Sequence, residues 1–429
     1  MLKRFIVALI ALVFSVSVFA QEAADLDRRL KALEEAVAKM QPTAETAELR
    51  RQIEVLSQEV EALKTRQTEK PAAADTETFG LGAAASKVYR SEGGLSFGGY
   101  GEFIYQNIDG RVNTADALRV ILYSGYKFSD RVLFNSEVEY EHANTERNGE
   151  IEVEFAYLDY MLNPNANVRA GMILMPVGLT NEQHEPTAFL GSRRTQVESR
   201  IIPTTWSELG VGVFGEKGSI TYRAYVTTAL NSGAFTATGI RSGRQMASQA
   251  KADDLAFVGR LDWQPFEGTM IGGSVYTGNS GQELSYGGRV TIAEAHADAK
   301  FRGAMLRGLA ARGTIDDAAQ INATNKLTGA ASVGDKFDGW YVEGGYDVMT
   351  LFPRREMSLV PFVRYEDFNT QASVPTGFLR NPANDQNLLT IGVNFKPIPQ
   401  TVIKLDWQDV DNGANTGLDQ WNIALGYIF

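Results

Sequence analysis

The chain has 429 residues, no cysteine, and a formal net charge of −11 at pH 7. The lack of cysteine excludes disulfides, thiolate nucleophiles and cysteine metal sites, and the acidic balance argues against a nucleic-acid binder. The mean hydropathy of −0.19 is typical of a soluble protein. It also fits a membrane barrel, because lipid-facing and lumen-facing residues cancel along each strand.

Residues 1–20 have the composition of a secretory signal peptide. Two basic residues precede an apolar run from Phe5 to Phe19, and residues 18–20 (VFA) match a small-x-small cleavage site. We expect the mature chain to begin at Gln21. A transmembrane anchor is the alternative, but the run is short for a span and no stop-transfer charge block follows. No later stretch could span a bilayer as a helix, so a membrane protein made of this chain has to be a barrel.

Residues 22–68 are rich in Ala, Glu, Leu, Lys and Arg and lack glycine. Their apolar residues alternate spacings of four and three, which predicts a short self-associating coiled coil in the periplasm. An amphipathic helix lying on its own domain is the alternative. Residues 69–94 are mostly small, and we interpret them as a loose linker. The seam positions are Leu26, Leu30, Leu33, Val37 and Met40, then Leu49, Ile53, Leu56, Val60 and Leu63.

From residue 95 onward glycine becomes frequent and the helical period disappears. Alternation of apolar with polar or small residues, interrupted by turn residues, predicts sixteen β-strands. They are 95–108, 116–128, 131–143, 150–162, 166–174, 207–216, 219–230, 255–264, 269–278, 288–301, 302–313, 337–348, 356–369, 386–396, 400–411 and 418–429.

The predicted connections alternate in length. Links after even-numbered strands are tight, for example Ser129-Asp130 and Lys217-Gly218, whereas several links after odd-numbered strands are long: 175–206, 231–254, 314–336 and 370–385. We therefore predict an all-β fold, a 16-stranded antiparallel transmembrane β-barrel over 95–429 with both ends in the periplasm. A large soluble β-sandwich is the alternative, but its turns need not alternate.

The last predicted strand supports the barrel. Its apolar face carries Trp421, Ile423, Leu425, Tyr427 and Phe429, with aromatic residues at both ends as at a lipid–water interface. The terminal Phe429 resembles the signature that the barrel-insertion machinery of bacterial outer membranes reads. We expect that machinery and outer-membrane lipid to be partners of this chain.

The alternation also predicts which side chains face water. In the third and fourth strands, six carboxylates (residues 137, 139, 141, 150, 152 and 154) are predicted to point inward, while Val138, Tyr140, Phe155 and Tyr157 are among those predicted to point outward. Basic side chains of other strands are predicted on the same inner face: Arg119, Lys127, Arg169, Arg223, Arg260, Arg364 and Lys404. A barrel of this size is too wide for side chains to fill, so a water-filled channel should result.

The loop over residues 176–206 is the longest connection, and long loops are functional or disordered. Its Phe189, Ile201, Ile202 and Trp206 predict packing rather than disorder. Folded into the lumen, it would narrow the pore and set its size and charge preference. A surface loop without such a role is the alternative.

Five stretches resemble a known family. They are GYGEFIY at 99–105, SEVEYEH at 136–142, AYLDY at 156–160, RAGMILMPVGLTNEQHEP at 169–186 and IIPTTWSELGVGVFGE at 201–216. Together they are similar to bacterial outer-membrane porins of the phosphate-selective porin O and P group. The resemblance covers roughly residues 95–429 and implies a trimeric sixteen-stranded porin with an inward-folded third loop. Well-known members have arginine- and lysine-lined pores, whereas residues 95–429 here hold 28 Lys and Arg against 38 Asp and Glu.

Three other signals predict no site. Gly210, Gly212 and Gly215 spell GxGxxG, but another strand follows instead of the helix that a dinucleotide site needs. His184 has no second histidine at ligand spacing, so we expect no metal. His142 beside Glu141 is the one catalytic candidate that these histidines offer, and we expect no enzyme activity and no cofactor.

The resulting hypothesis is an outer-membrane porin for passive diffusion of small hydrophilic solutes or ions. Alternatives are a phosphate- or anion-selective porin, and a structural tether from the outer membrane to the cell wall through the coiled coil. The residues predicted to line the constriction and set selectivity are Arg193, Arg194, Arg200, Glu182, Glu185, Glu137, Glu139, Glu141, Glu152, Glu154, Arg119, Arg169 and Arg223.

Overall fold

The computed structural model describes residues 78–429 except 144, 146, 147, 164 and 353–355. The predicted signal peptide and coiled coil lie outside the described residues. Sixteen strands occur in the described part: β1 (Gly94–Ile108), β2 (Thr114–Lys127), β3 (Val132–Glu141), β4 (Ile151–Asn163), β5 (Ala166–Leu174), β6 (Ser207–Lys217), β7 (Ile220–Thr228), β8 (Leu255–Phe266), β9 (Thr269–Gly278), β10 (Val290–Phe301), β11 (Ala304–Ile315), β12 (Lys336–Tyr346), β13 (Ser358–Ser373), β14 (Asp385–Ile398), β15 (Thr401–Asn412) and β16 (Gln420–Ile428).

Each strand pairs antiparallel with its neighbours in the chain, and β1 pairs with β16, so the sheet closes into a barrel. The all-β prediction of a sixteen-stranded antiparallel barrel is therefore confirmed. Closure leaves no free sheet edge, because the last strand hydrogen-bonds the first from Tyr100–Ile428 to Ile108–Gln420.

The connections sort by length as predicted, with one exception. One end of the barrel carries tight links such as 218–219, 267–268 and 302–303, and we call it the short-turn end. The other end carries the long connections 175–206, 229–254 and 316–335. The exception is the link 347–357 at the short-turn end, which includes a 3₁₀ turn at Val348–Leu351.

Among the described residues, three α-helices and four further 3₁₀ turns lie outside the strands. The helices are α1 (Lys87–Arg90), α2 (Gln196–Arg200) and α3 (Ala318–Thr324), and the turns are Ser232–Ala234, Arg241–Gly243, Gly329–Ala331 and Pro382–Asn384. None of the helices in the described residues is long and apolar enough to cross a membrane.

The two faces of the barrel differ as the alternation predicts. Large apolar side chains point outward on every part of the circumference, for example Val211, Leu261 and Leu306, each more than half exposed. All seven basic side chains predicted on the inner face lie there, and six of them are buried. A buried charged side chain is stable only when it is paired or hydrated, so these residues require partners or water in the barrel interior.

The predicted outward direction of Phe155 and Tyr157 is wrong. A β-bulge shifts the β3–β4 register between Glu137, opposite Phe155, and Val138, opposite Val153. Beyond the bulge the faces exchange, so Phe155 and Tyr157 are buried at 1% and 2% exposure and stack on each other at 5.2 Å. A one-residue insertion has this effect because side chains alternate with a period of two.

Candidate channel interior

The segment 175–206 crosses the inside of the barrel. Arg119 on β2 donates to the carbonyl of His184 at 2.6 Å, while Lys404 on β15 donates to the carbonyl of Gly191 at 2.9 Å. On β13, Glu366 accepts the amide of Val197 at 3.1 Å. These contacts join inner faces from separate parts of the circumference, so the segment lies within the barrel and not on its rim.

Two buried polar side chains hold this segment in shape. Asn181 donates to the carbonyls of Met175 and Trp206 and accepts the amide of Trp206 at 2.9 Å, which joins the two ends of the segment. The second is Glu198, whose carboxylate accepts the amides of Leu179 at 2.7 Å and Thr180 at 2.6 Å. Charge-assisted bonds of this kind are stronger than neutral ones, so the crossing segment is well fixed.

A hydrophobic cluster completes the packing. Ile201, Ile202 and Trp206 are fully buried, and the ring of Trp206 lies 4.7 Å from that of Tyr276 on β9. Phe189 is also buried, and its ring faces the ammonium of Lys404 at 3.6 Å. The prediction that the apolar residues of this segment pack is confirmed.

The acidic wall lies on β3 and β4. Glu137, Glu139 and Glu154 are buried and point inward. Two further members of the wall, Glu141 and Glu152, are only partly covered. Carboxylates from adjacent strands thus share one stretch of the inner surface, as the alternation predicts.

Arginines face this wall. Arg119 pairs with Glu102 at 2.7 Å and lies 3.9 Å from Glu139. Arg194 from the crossing segment interacts electrostatically with Glu139 and Glu154. Its Nη1 atom is buried and has no hydrogen-bond partner within the described part of the chain. Guanidinium groups therefore lie beside the carboxylates of the wall inside the barrel.

The other two predicted loop arginines are placed differently. Arg193 donates to Gln106 on β1 at 2.7 Å, away from the wall. Arg200 is exposed at the end of α2. Of the three, the structure brings Arg194 to the acidic wall.

Two arginines that the sequence analysis missed lie near the wall instead. Arg241 and Arg244, in the loop 229–254, donate to the backbone of Thr204 and Arg244 also to that of Thr205. Arg244 interacts electrostatically with Glu152 and Glu154. Their spacing in an irregular loop carries no periodic signal, so alternation could not have found them.

Residues 78–91 form a further element of the interior, which we call the inner segment. Leu81, Ala84, Ala85 and Val88 are buried, and α1 packs on β1, β2 and β3. Ser86 folds the segment on itself by accepting the amide of Thr78 at 3.1 Å and donating to the carbonyl of Leu81. Part of the predicted linker is thus packed against the barrel.

Several residues predicted to line the pore hold this inner segment. Arg169 pairs with Asp159 at 2.8 Å, and both groups bind the hydroxyl of Tyr89. Arg223 pairs with Glu182 at 3.1 Å and donates to the carbonyl of Phe79. Buried ion pairs of this geometry are fixed and largely neutralised.

Glu185 and His184 belong to the same junction. Glu185 accepts the amide of Ala84 at 3.0 Å, which ties the crossing segment to the inner segment. His184 contacts Glu137 at 3.1 Å and the carbonyl of Asn181 at 2.8 Å. Burial, with help from the Arg119 guanidinium, lowers the pKa of His184 to about 3, so its ring is uncharged at neutral pH.

A cavity of about 450 Å³ remains at the short-turn end of the barrel. The inner segment borders it through Gly82 and Ala83, and the crossing segment through Thr187 and Ala188. Strands from the other half of the barrel provide the charged lining: Asp298, Lys300, Arg307 and Lys396, with Glu356 beside them. The cavity is therefore polar and of mixed charge.

The other two histidines contact carboxylates, and the glycine motif lies within a strand. His142 contacts Asp116 at 2.7 Å, and His296 lies between Asp262 at 2.9 Å and Glu294 at 2.8 Å. The described residues contain no group of three or more ligands arranged to hold a metal ion. The GxGxxG residues lie in β6, which leads through a tight turn into β7.

A closed sixteen-stranded barrel with an apolar exterior and a charged interior crossed by a long segment has the porin fold. OmpF of Salmonella typhi, solved with daunomycin, shares this fold with a TM-score of 0.54 at 10% identity over 78% of this chain and 97% of that chain. An anion-selective porin from Comamonas acidovorans matches with a TM-score of 0.50 at 10% identity over 79% of this chain and 100% of that chain.

At the level of family, a protein of Aquifex aeolicus (strain VF5), described as uncharacterized, is 36% identical over 364 residues. The match covers 82% of this chain and 83% of that protein. The chain belongs to the same family as the Aquifex protein. No family model matches the chain. The resemblance to the porin O and P group stays a prediction.

Proposed function

We propose that the protein is an outer-membrane porin, a water-filled channel for passive diffusion of small hydrophilic solutes or ions. The proposal rests on one observation: apolar side chains cover the outside of the barrel and charged side chains its inside, the reverse of a water-soluble protein. Large apolar side chains such as Leu261 and Leu306 are more than half exposed, while charged ones such as Arg169 and Glu137 are buried inside. A closed apolar band of this kind is suited to lipid and unfavourable in water.

The orientation follows from the loop lengths. Transmembrane barrels of bacteria have short periplasmic turns and longer external loops. The short-turn end would then face the periplasm, and the predicted coiled coil 22–68 would lie on the same side. A homotrimer is our expectation for the assembly, as the resemblance implies.

The crossing segment is our candidate for the constriction. It carries Arg194 towards the carboxylates of Glu139 and Glu154, and Arg244 of the next long loop interacts with Glu152 and Glu154. Separated charges of opposite sign produce a transverse field across a pore. Such a field orients polar solutes and rejects apolar ones.

The test is a planar bilayer holding the purified protein in a KCl gradient. We expect stepwise conductance in groups of three, with a reversal potential that shows weak or cation preference. Absence of any conductance from folded, heat-modifiable protein would refute the channel proposal.

One observation favours anion transport as a second candidate. The Nη1 atom of Arg194 makes no hydrogen bond within the described chain, so the positive charge of this side chain is incompletely paired beside the wall. The same bilayer experiment decides between the candidates when phosphate is added. A strong anion preference with block by phosphate would favour the anion channel.

A further inference from the structure

The inner segment occupies one half of the barrel at the short-turn end. Its polar contacts run from β2, where Lys127 donates to the carbonyl of Ser91 at 2.9 Å, to β7, where Arg223 donates to that of Phe79 at 3.1 Å. Between them, Asn135 on β3 donates to the carbonyl of Ala85 at 2.9 Å. The segment thus covers the inner wall of consecutive strands.

Its attachment is too extensive for a passing linker. The hydroxyl of Tyr89 donates to Asp159 at 2.7 Å and accepts from Arg169 at 2.8 Å, both of which are buried. The ring of Phe79 packs edge-on against Phe214 at 4.9 Å. Buried hydrogen bonds to charged groups each contribute more than neutral ones, so several of them keep a short segment in place.

The opposite half of the same end remains open as the cavity of about 450 Å³. Gly82 and Ala83 form its edge on the inner segment, and Lys300, Arg307 and Lys396 face them from β10, β11 and β14. The crossing segment borders the same cavity through Thr187 and Ala188, so both elements adjoin this opening.

We propose that the inner segment is a second, fixed constriction of the pore, in series with the crossing segment. It confines solutes to the side of the barrel that carries Lys300, Arg307 and Lys396. This inference rests on the proposed channel function and adds a size limit at the short-turn end.

A wall glycine provides the first test. A Cβ added at Gly125 on β2 would lie 2.6 Å from the Cβ of Val88, which is a stiff side chain of α1. Gly125→Val should therefore prevent α1 from docking on the wall and let the inner segment detach from the barrel interior. Gly344→Val is the matched control, because the nearest atom to a Cβ there is 4.0 Å away.

We expect Gly125→Val to raise single-channel conductance by at least ~1.5-fold and to admit larger sugars in liposome swelling, because a series constriction has been widened. Gly344→Val should behave as the parent protein. If the parent conducts and both variants match it in conductance and size limit, the inference is wrong. If the parent itself does not conduct, the proposed channel function fails instead.

A second measurement leaves the packing almost unchanged. The chain contains no cysteine, so Ala83→Cys introduces a single thiol at the edge of the cavity. A charged thiol reagent should lower the current of this variant and leave the parent unaffected. A channel that conducts normally and keeps its current after complete modification, checked by mass, would overturn the inference.

Discussion

The buried carboxylate of Glu198 should decide whether the crossing segment stays in place. It accepts hydrogen bonds from the amides of Leu179 and Thr180, from the hydroxyl of Thr180 at 3.0 Å, and from the hydroxyl of Tyr341 on β12 at 2.8 Å. It therefore joins both parts of the segment to the barrel wall. Glu198→Leu removes the acceptor and leaves these donors buried without a partner.

The two backbone amides set the cost, because unlike the two hydroxyls they cannot turn to other acceptors. An unsatisfied buried donor costs about 1–3 kcal/mol, so Glu198→Leu should lower the local opening free energy by about 2–6 kcal/mol. Because about 1.4 kcal/mol is a factor of ten, the amides of Leu179 and Thr180 should exchange with deuterium roughly 10–10⁴ times faster. Glu198→Gln keeps one acceptor oxygen and should show a much smaller increase. Tyr341→Phe removes a single donor and should also be mild.

The assay is hydrogen–deuterium exchange of the purified protein, read by mass spectrometry on peptides covering 175–206. Glu267→Gln, in an exposed turn between β8 and β9, is the control and should leave exchange unchanged. Barrel integrity is checked by heat-modifiable mobility on gels. Exchange in Glu198→Leu at the parent rate would refute the role given to this carboxylate.

Three further outcomes are expected. Arg194→Gln should move the reversal potential in a KCl gradient towards that of potassium, because it removes a positive charge beside the wall; the exposed Arg200→Gln should not. Phe155→Ala should cost about 3–5 kcal/mol of stability, seen as a lower melting temperature, whereas the half-exposed Leu158→Ala should cost clearly less. Deleting residues 22–68 should leave conductance intact; loss of envelope attachment in the same variant would favour the tether.

The strands were predictable because their signals are local. Alternation and turn residues lie within a few positions of each other, and the predicted bounds 166–174 and 269–278 coincide with β5 and β9. The closed barrel was predicted from the even number of strands and from the alternation of short and long connections. The prediction of inward carboxylates rests on the same local alternation, since a charge that faces lipid is costly.

The bulge in β4 was missed although its signal was present. If Phe155 and Tyr157 faced outward, the same phase would place Asp159 in lipid, which is unfavourable. The alternation therefore had to reset between Glu154 and Asp159. In the structure it does, and Asp159 is buried against Arg169 at 2.8 Å. Phase errors of this kind are detectable where a charge falls on the apolar face.

The inner segment was not predictable from its own residues. Its glycines and alanines are also typical of a solvated linker, and its partners are remote in sequence. A Cβ at Gly82 would lie 2.5 Å from the carboxyl carbon of Glu185, so the small residue there serves close packing. Only the tertiary structure brings Glu185 and Arg223 to the segment.

Net charge is a poor guide to selectivity for a related reason. The interior charges form two groups, those neutralised in ion pairs and those that are incompletely paired, and the sequence does not distinguish them. Arg169 and Arg223 are paired with Asp159 and Asp262, so they fix the interior and contribute little field to a passing solute. Arg194, with a buried nitrogen that no described group satisfies, belongs to the other group. Selectivity should therefore follow the few incompletely paired charges near the wall, and the excess of carboxylates along the barrel is a poor guide to it.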